Sequence, residues 1–398
     1  MKNNATMERI QRLLSGNIRQ YGMVLALFVV IVLFQILTDG ILLMPRNVSN
    51  IIQANAYVMI IATGMMLCIL TGGNIDLSVG SVAGFVGAIV ATFLLPMEMH
   101  AGLAILISLL IGLAIGAWHG FWIAYVGIPP FIATLSGMLL FRGLTLAMLQ
   151  GVSLGPLRGA LLFLASDFVP DDVIIPVFGG LRLMTMLIAV VLSVLYVILQ
   201  ILARRKRQSY NFDVPHIGLF LAQLVIVCGV ILYFAFLLAQ HRGIPMVLTI
   251  VAFLVLVYSF ITNRTVFGRR IYAFGGNKMA ARLSGINTKR LMFIVYTNSG
   301  LLAALAGILF AGRLGSATPK AGDGFELDAI AACFIGGAST TGGVGTIVGA
   351  IIGGMLMGVL NNGMFILGVS IDWQQAVKGI VLLLAVAFDV LSKRNKTT

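Results

Sequence analysis

The sequence predicts an all-α integral membrane protein, a polytopic bundle of about 10–12 transmembrane helices. Its 398 residues are 60% hydrophobic and only 10% charged, which is too apolar for a soluble domain that must cover itself with polar surface. Apolar runs long enough to cross a hydrocarbon core of about 30 Å recur along almost the whole chain. The basic residues are gathered between these runs. No segment is left over for a soluble catalytic domain.

Apolar runs bounded by Pro, Gly and charged residues give the candidate spans in order. They lie at residues 21–38, 50–70, 76–95, 101–125, 131–149, 185–203, 216–238, 245–262, 291–311, 327–342, 345–362 and 375–391. The first run lacks an Ala-x-Ala cleavage site, which favours an uncleaved span over a signal peptide. The runs 76–95 and 327–342 begin with acidic residues, so we expect them to be partial or re-entrant.

The distribution of Lys and Arg indicates that both termini are cytoplasmic. With that orientation, 18 of the 26 basic residues lie on the inner side, before residue 21, at 204–207, from 264 to 290 and after 391. The net charge of +13 is therefore topology information and does not indicate nucleic-acid binding. We expect one transmembrane domain, 1–398, with a cytoplasmic N-terminal segment (1–20), a cytoplasmic loop (263–290) and a cytoplasmic tail (392–398).

The cytoplasmic stretch FGRRIYAFGGNKMAARLSGINTKR, residues 267–290, contains six basic residues and no acid. Asn277 is a good N-cap and Gly285 a good C-terminal stop, which predicts a helix of roughly 10 Å between them. Such a short helix is unstable alone in water, so we expect it to dock into a partner. Met279, Ala280 and Leu283 share one face of this helix. The alternative is that the stretch is only an orientation signal.

Three motifs in this sequence resemble those of one family. AFGGNKMAARLSGI is similar to the cytoplasmic loop in the permease subunits of bacterial ABC importers for monosaccharides, although Met279 stands where the general Glu-Ala-Ala loop has Glu. TGGNIDLSVGS, residues 71–81, and ELDAIAACFIGGASTTGGVGTIVGAIIGG, residues 326–354, resemble two further signatures of that family. The resemblance runs from about Asn47 to the C-terminus. It is closest to the xylose and multiple-monosaccharide branch, which the long region 150–245 also favours.

The resemblance implies an ABC importer in the bacterial inner membrane. Its parts would be a permease homodimer, cytoplasmic ATPase subunits and a periplasmic sugar-binding protein that delivers a monosaccharide. The short helix would be the coupling helix that contacts the ATPase, with these residues at the contact: Gly276, Asn277, Met279, Ala280, Ala281, Arg282, Leu283 and Gly285. The chain has no Gly-x-x-x-x-Gly-Lys-Ser/Thr motif, so ATP and Mg²⁺ would be bound by the partner ATPase. We expect no enzyme activity and no cofactor in this chain.

A neutral sugar needs hydrogen-bonding groups along its path and no counter-charge. Two polar, glycine-broken segments offer such groups, and irregular backbone at membrane depth persists only where it lines a cavity or is buried by protein. The expected pathway residues are Asn74, Asp76, Ser78, Ser81, Asp328, Ser339 and Thr340. Asp76 could instead be an N-cap, and the two interpretations are compatible. The stretches Asn47 to Asp76 and Asn287 to Asp328 also have the pattern of an inverted repeat.

Two glycine series with a spacing of four residues predict smooth helix faces for close packing. They are Gly112, Gly116 and Gly120, and Gly345, Gly349 and Gly353. Arg142 falls near the middle of a predicted span, where a basic residue costs about 2.5–3.5 kcal/mol on insertion scales. It should therefore face protein or water, and structural pairing and a role in the path are both open. The three cysteines lie singly in apolar runs and indicate no metal site or disulfide.

The main alternative function is an ion-coupled secondary sugar transporter. Such a protein needs ionisable groups deep in several spans, and only Arg142 clearly meets that condition in the sequence. An intramembrane enzyme is less consistent with the sequence, because no His-Glu-x-x-His or comparable constellation occurs. The outer loop from Gly151 to Leu183 is expected either to help dock the binding protein or to be a plain solvated loop.

Overall fold

The computed structural model describes residues 22–171, 173–175, 180–210, 212, 214 and 216–397. The predicted N-terminal segment, 1–20, lies outside this part of the chain. The helices are α1 (Gly22–Leu37), α2 (Pro45–Leu70), α3 (Val79–Leu94), α4 (Ala101–Phe121), α5 (Pro130–Leu149), α6 (Ala160–Ser166), α7 (Leu183–Ser209), α8 (Ile217–Ala239), α9 (Met246–Arg264), α10 (Val266–Gly276), α11 (Lys278–Leu283), α12 (Thr288–Leu314), α13 (Phe325–Ile335), α14 (Ile347–Ile366) and α15 (Ile371–Thr397). A π-helical turn, Trp122–Val126, extends α4, and β1 (Ile174–Ile175) pairs antiparallel with β2 (Leu181–Arg182).

The predicted all-α polytopic class is confirmed. In the described part of the chain, eight helices are long and apolar enough to cross a membrane. The run 327–342 does not form a complete span, because α13 has 11 residues and is therefore about 16 Å long. Helix α3 is also short, at 16 residues, and begins three positions after Asp76. Both of the acid-opened runs thus contain a helix shorter than the bilayer core.

The centre of the bundle is an antiparallel pair formed by α2 and α12. Three contacts run in opposite directions along the two helices: Gln53 bonds Arg313, Tyr57 packs on Phe310, and Gly64 lies against Ser299 and Leu302. Each of these helices is followed by a non-helical segment and then a short helix. Opposite directions for the two halves are what an inverted repeat requires.

The glycine series on α4 faces α12. A Cβ atom added to Gly116 would lie 2.6 Å from the Tyr296 carbonyl oxygen, and one added to Gly120 would lie 2.8 Å from that of Phe293. Gly112 is equally crowded by Ala304. Real Cβ atoms do not approach other atoms this closely, so only glycine allows the two helices to pack at this distance.

One member of the second glycine series was assigned incorrectly. Gly349 and Gly353 lie on α14 against Gly336 and Ala332 of α13. Gly345, however, precedes α14 and has a φ of +149°, a conformation outside the helix. The spacing of four residues therefore extended the helix one turn too far, because Thr346 caps α14 by accepting a bond from the Gly349 amide at 3.0 Å.

Two helices were missed in segments interpreted as loops. Helix α6 lies between residues 151 and 183, and its Leu161 and Ala165 are buried against Gly312 of α12. Helix α10 directly precedes the short helix α11, with Ile271 and Phe274 buried. The apolar residues at 267, 271 and 274 have the helical spacing that could have identified α10.

Candidate functional site

Two interrupted segments meet inside the bundle. The first, 71–78, separates α2 from α3, and the second, 315–324, separates α12 from α13. The second segment touches the first turn of α3, directly after the first segment, because a Cβ atom on Gly80 or on Gly322 would clash with the carbonyl oxygen of the other residue. Tyr57 stacks on Phe325 with ring centroids 3.9 Å apart, and Tyr57 lies about 18 Å along α2. Helix α13 therefore begins near the middle of a hydrocarbon core of about 30 Å.

Asp76 fastens the first segment to α12. The carboxylate is 2% exposed, and its Oδ1 accepts bonds from the amide of Ser78 at 3.0 Å and from its hydroxyl at 2.6 Å. Its Oδ2 accepts a bond from the Ser299 hydroxyl at 2.7 Å. The one backbone amide that Asp76 binds, that of Ser78, precedes α3, so the carboxylate closes the loop and does not cap the helix. Because Ser299 is 223 positions away, the sequence could not reveal it as the partner.

The two further predicted residues, Asn74 and Ser81, differ in their hydrogen bonding. Asn74 is partly buried and donates from Nδ2 to the Thr71 carbonyl oxygen at 2.8 Å, so its amide folds back on its own loop. Ser81 is buried, and its hydroxyl has no hydrogen-bond partner among the described residues. A buried hydroxyl without a partner is costly, which marks this place as one where a further polar group fits.

Asp328 forms an ion pair with Lys378 of α15. The Nζ atom of Lys378 lies 2.9 Å from Oδ1 of Asp328, and the Tyr57 hydroxyl donates to Oδ2 at 3.4 Å. The side chains of Asp328 and Lys378 are 5% and 26% exposed. The amine of Lys378 thus turns inward to a buried carboxylate.

The last helix makes a second polar contact with the segment after α13. Asp389 is 7% exposed, and its Oδ2 accepts bonds from the amide and the hydroxyl of Thr340 at 3.3 and 3.4 Å. Ser339 is fully buried, with its hydroxyl 2.9 Å from that of Thr341. No pattern in the sequence indicates the pairings made by α15, because their partners are far from α15 along the chain.

Arg142 of α5 pairs with the second interrupted segment. Its Nη1 atom lies 2.8 Å from Oδ1 of Asp323, and these side chains are 35% and 65% exposed. Glu326, 7% exposed, packs against Gly80, and its Oε2 has no hydrogen-bond partner among the described residues. The expectation that Arg142 alone is a deep ionisable group is therefore wrong. Several acids of the two segments are buried, and most of them are paired.

A junction of glycines joins both halves to α10. We call Gly72, Gly73, Gly275, Gly342 and Gly343 the inner junction. A Cβ atom on Gly73 would clash with the carbonyl oxygen of Thr340, and a Cβ atom on Gly342 would clash with the backbone of Gly72. A Cβ atom on Gly275 of α10 would clash with the Leu70 carbonyl and lie 2.5 Å from the Gly343 amide.

Two hydrogen bonds hold the inner junction together. The Gly343 amide donates to the Leu70 carbonyl oxygen at 3.0 Å, which ties the segment after α13 to the end of α2. The Tyr272 hydroxyl of α10 donates to the Gly345 carbonyl oxygen at 2.8 Å. Three chain segments thus meet at backbone distance, so α10 cannot shift without moving both halves.

The short helix α11 follows directly. The side chain of Asn277 accepts a bond from the Ala280 amide at 2.9 Å, and Gly285 ends the turn with a φ of +79°. Met279 and Leu283 are 66% and 82% exposed. Ala281, expected at the outer contact, is only 4% exposed and faces the chain's own core. The helix therefore presents an exposed apolar pair that no other described part of the chain covers.

The other residues assigned to the coupling contact are exposed. Gly276, Ala280 and Arg282 all lie on the surface around α11. Among the described residues, no group of three or more His, Cys, Asp or Glu side chains could hold a metal ion.

Comparisons with known proteins agree with this architecture. The chain matches the family described as the permease component of the branched-chain amino acid transport system, over residues 47–200 and 181–386. It is 39% identical to the xylose transport system permease protein of Escherichia coli K12 over 381 residues, covering 96% of this chain and 94% of that protein. It is 37% identical to the corresponding protein of Haemophilus influenzae, covering 96% and 99% of the two chains.

A second group of relatives carries a different name. The chain is 37% identical to the ribose import permease protein of Escherichia coli K12 over 344 residues, covering 86% of this chain and 85% of that protein. No solved structure matches the chain. The family match spans most of the sequence, and the relatives align over nearly their whole length. The chain therefore belongs to this family of multi-pass permease subunits of ABC importers, which are transport proteins and not enzymes.

Proposed function

We propose that this chain forms the path for a monosaccharide, xylose or a related pentose or hexose, across the bacterial inner membrane. The xylose and ribose permeases to which it is similar support this substrate class. The observation that carries the proposal is the meeting of two interrupted segments near the middle of the bundle, at Gly80 and Gly322. Non-helical backbone at that depth is stable only inside protein or beside a polar cavity.

The proposed pathway residues suit a neutral, hydroxyl-rich substrate. Asn74, Asp76 and Ser78 come from the first segment and Ser81 from the first turn of α3, while Asp328 lies on α13, and Ser339 and Thr340 follow the far end of α13. Asp76 and Asp328 are held by hydroxyls, an amide and Lys378. An acid already satisfied in this way presents little free charge, so passing a neutral sugar requires no counter-ion. The free hydroxyl of Ser81 and Oε2 of Glu326 are available for bonds that exchange with the sugar's hydration.

Coupling to ATP hydrolysis would enter through α11. Its exposed Met279 and Leu283 are suited to a groove on the ATPase subunit, and α10 connects that contact to the inner junction. Because Gly275 touches both Leu70 and Gly343, a shift of α10 would move the end of α2 and the segment after α13 together. ATP and Mg²⁺ would be bound by the ATPase, and this chain would hold no cofactor.

The proposed assembly is that of an ABC importer. The chain would form a single domain with both termini and the 263–290 segment in the cytoplasm, and it would pair with a second copy as a homodimer. A periplasmic sugar-binding protein would dock on the outer face, where α6 and the β1–β2 hairpin lie. The orientation is supported by the 18 basic residues on the inner side.

Uptake by reconstituted vesicles tests the proposal. The permease, its ATPase and the binding protein would be assembled in proteoliposomes, and uptake of labelled xylose and ribose would be measured. We expect uptake that requires ATP and both partners and that persists with a protonophore. An ion-coupled transporter would give the reverse result, with uptake that needs an ion gradient and continues without ATP, and that result would refute the proposal.

A further inference from the structure

The α7–α8 hairpin stands at the edge of the bundle. Only 11% of the most apolar 18-residue stretch of α7 is buried, and most of the Leu, Val and Ile side chains of this helix are exposed. Its helices are antiparallel, since Arg204 lies over the Phe220 ring at 4.7 Å and the Cys228 thiol lies 3.9 Å from the Ser193 carbonyl oxygen. In a membrane, such an apolar helix face is covered by lipid chains.

The basic residues of α7 begin where its apolar length matches the bilayer. From Leu183 to Ala203 the helix extends about 31 Å, close to the hydrocarbon thickness of about 30 Å. The sequence Arg-Arg-Lys-Arg, residues 204–207, follows at once and is still helical. These four side chains therefore lie at the depth of the phospholipid headgroups.

Three of these bases have no ion-pair partner among the residues that the structure describes. Arg205, Lys206 and Arg207 are exposed, and no carboxylate pairs with any of them within the described part of the chain. Successive helical positions differ by about 100°, so the three side chains spread around the lipid-facing end of α7. Arg204 is held against Phe220. Arg205, Lys206 and Arg207 thus present three exposed cations at a membrane surface.

Aromatic residues complete the surface. Tyr210 and Phe212 follow the cluster and are 64% and 66% exposed. Aromatic side chains concentrate at the boundary between headgroups and acyl chains, where one end is apolar and the other is hydrated. Bases beside such aromatics match a ligand with an anionic head and apolar tails.

We propose that residues 204–207, with Tyr210 and Phe212, form a binding site for the headgroup of an anionic phospholipid. A guanidinium presents paired donors to phosphate oxygens, and each base near an anionic surface strengthens binding about fivefold. The site lies on the most peripheral hairpin, away from α10 and α11, so it is a surface for lipid and not for the ATPase.

Lipid binding to the purified, full-length permease tests the proposal. Phosphatidylglycerol and phosphatidylcholine would be titrated in neutral detergent, with binding followed by native mass spectrometry. We expect the wild-type chain to prefer phosphatidylglycerol, and raised salt to reduce that preference because salt screens exposed charge. Equal binding of the two lipids by the wild-type chain overturns the proposal without any variant.

Variants locate the site. Arg205→Gln/Lys206→Gln/Arg207→Gln should weaken phosphatidylglycerol binding roughly a hundredfold, whereas the charge-preserving Arg205→Lys/Arg207→Lys should keep it within a few fold. The control Arg269→Gln/Arg270→Gln/Lys289→Gln removes the same charge from exposed positions elsewhere on the inner side.

The outcomes separate the explanations. Loss confined to the α7 variant supports the site. An equal loss in the control means general electrostatic attraction and overturns it. An α7 variant that binds lipid normally but no longer co-purifies with the ATPase, or no longer forms a dimer, also overturns it and makes the cluster a protein contact.

Discussion

The ion pair between Lys378 and Asp328 should be a main attachment of α15 to the bundle. Its atoms are 2.9 Å apart, and the carboxylate is 5% exposed, so water screens it little. Removing one partner leaves an uncompensated charge in a buried place, which costs about 3–5 kcal/mol. We therefore expect Lys378→Met to lower the free energy of unfolding by that amount, because Asp328 loses its cation and keeps only the weak bond from Tyr57.

A double variant isolates the cause. In Lys378→Met/Asp328→Asn both charges are absent and the amide can still bond Tyr57, so most of the stability should return. The measurement is unfolding of the purified permease in lipid nanodiscs by denaturant, with Asp328→Asn alone as the matched single variant. If Lys378→Met costs less than about 1 kcal/mol, or the double variant is no better than the single one, the pair is screened and the reasoning is wrong.

Three further variants test other parts of the structure. Gly349→Leu should disrupt assembly of the permease before it changes sugar preference, because the backbones of Gly349 and Gly336 touch where α13 meets α14. Size-exclusion chromatography measures assembly, and uptake of two sugars measures preference. An intact permease with altered sugar preference would contradict the packing role. Asp76→Asn keeps the shape of the side chain but weakens charge-assisted hydrogen bonds worth about 1.5–3 kcal/mol each, so sugar uptake should fall while the packing of α12 is retained. Unchanged sugar uptake would show that the carboxylate is not needed. Asn277→Ala removes the cap of α11 and should cost about 1 kcal/mol of local helix stability and reduce sugar-dependent ATP hydrolysis, measured against Asn277→Asp, which keeps the cap.

The apolar runs predicted most of the helices because the bilayer imposes a fixed length on every span. The interrupted segments were also predictable, since acids and glycines inside an apolar chain cannot face lipid. Gly345 was misplaced because a residue spacing does not show where a helix begins. The cap at Thr346 decides that boundary.

The pairings inside the site were beyond the reach of the sequence. Asp76 with Ser299 and Asp328 with Lys378 join residues that are distant along the chain, and only tertiary packing brings them together. Ala281 illustrates the same limit. A helix of six residues has too few turns for its pattern to indicate the buried face, and the neighbouring α10 and α12 set its orientation.

The coupling contact can be tested most directly by cross-linking from α11. Leu283→Cys places a thiol at a position 82% exposed, while Ala281→Cys, on the same helix, places one at a position 4% exposed. With an ATPase subunit carrying single cysteines along its surface groove, the thiol at 283 should form a disulfide that stops sugar uptake until it is reduced, and the thiol at 281 should not react. Sugar uptake at the normal rate, with no cross-link from 283 to any position of the ATPase, would contradict the account.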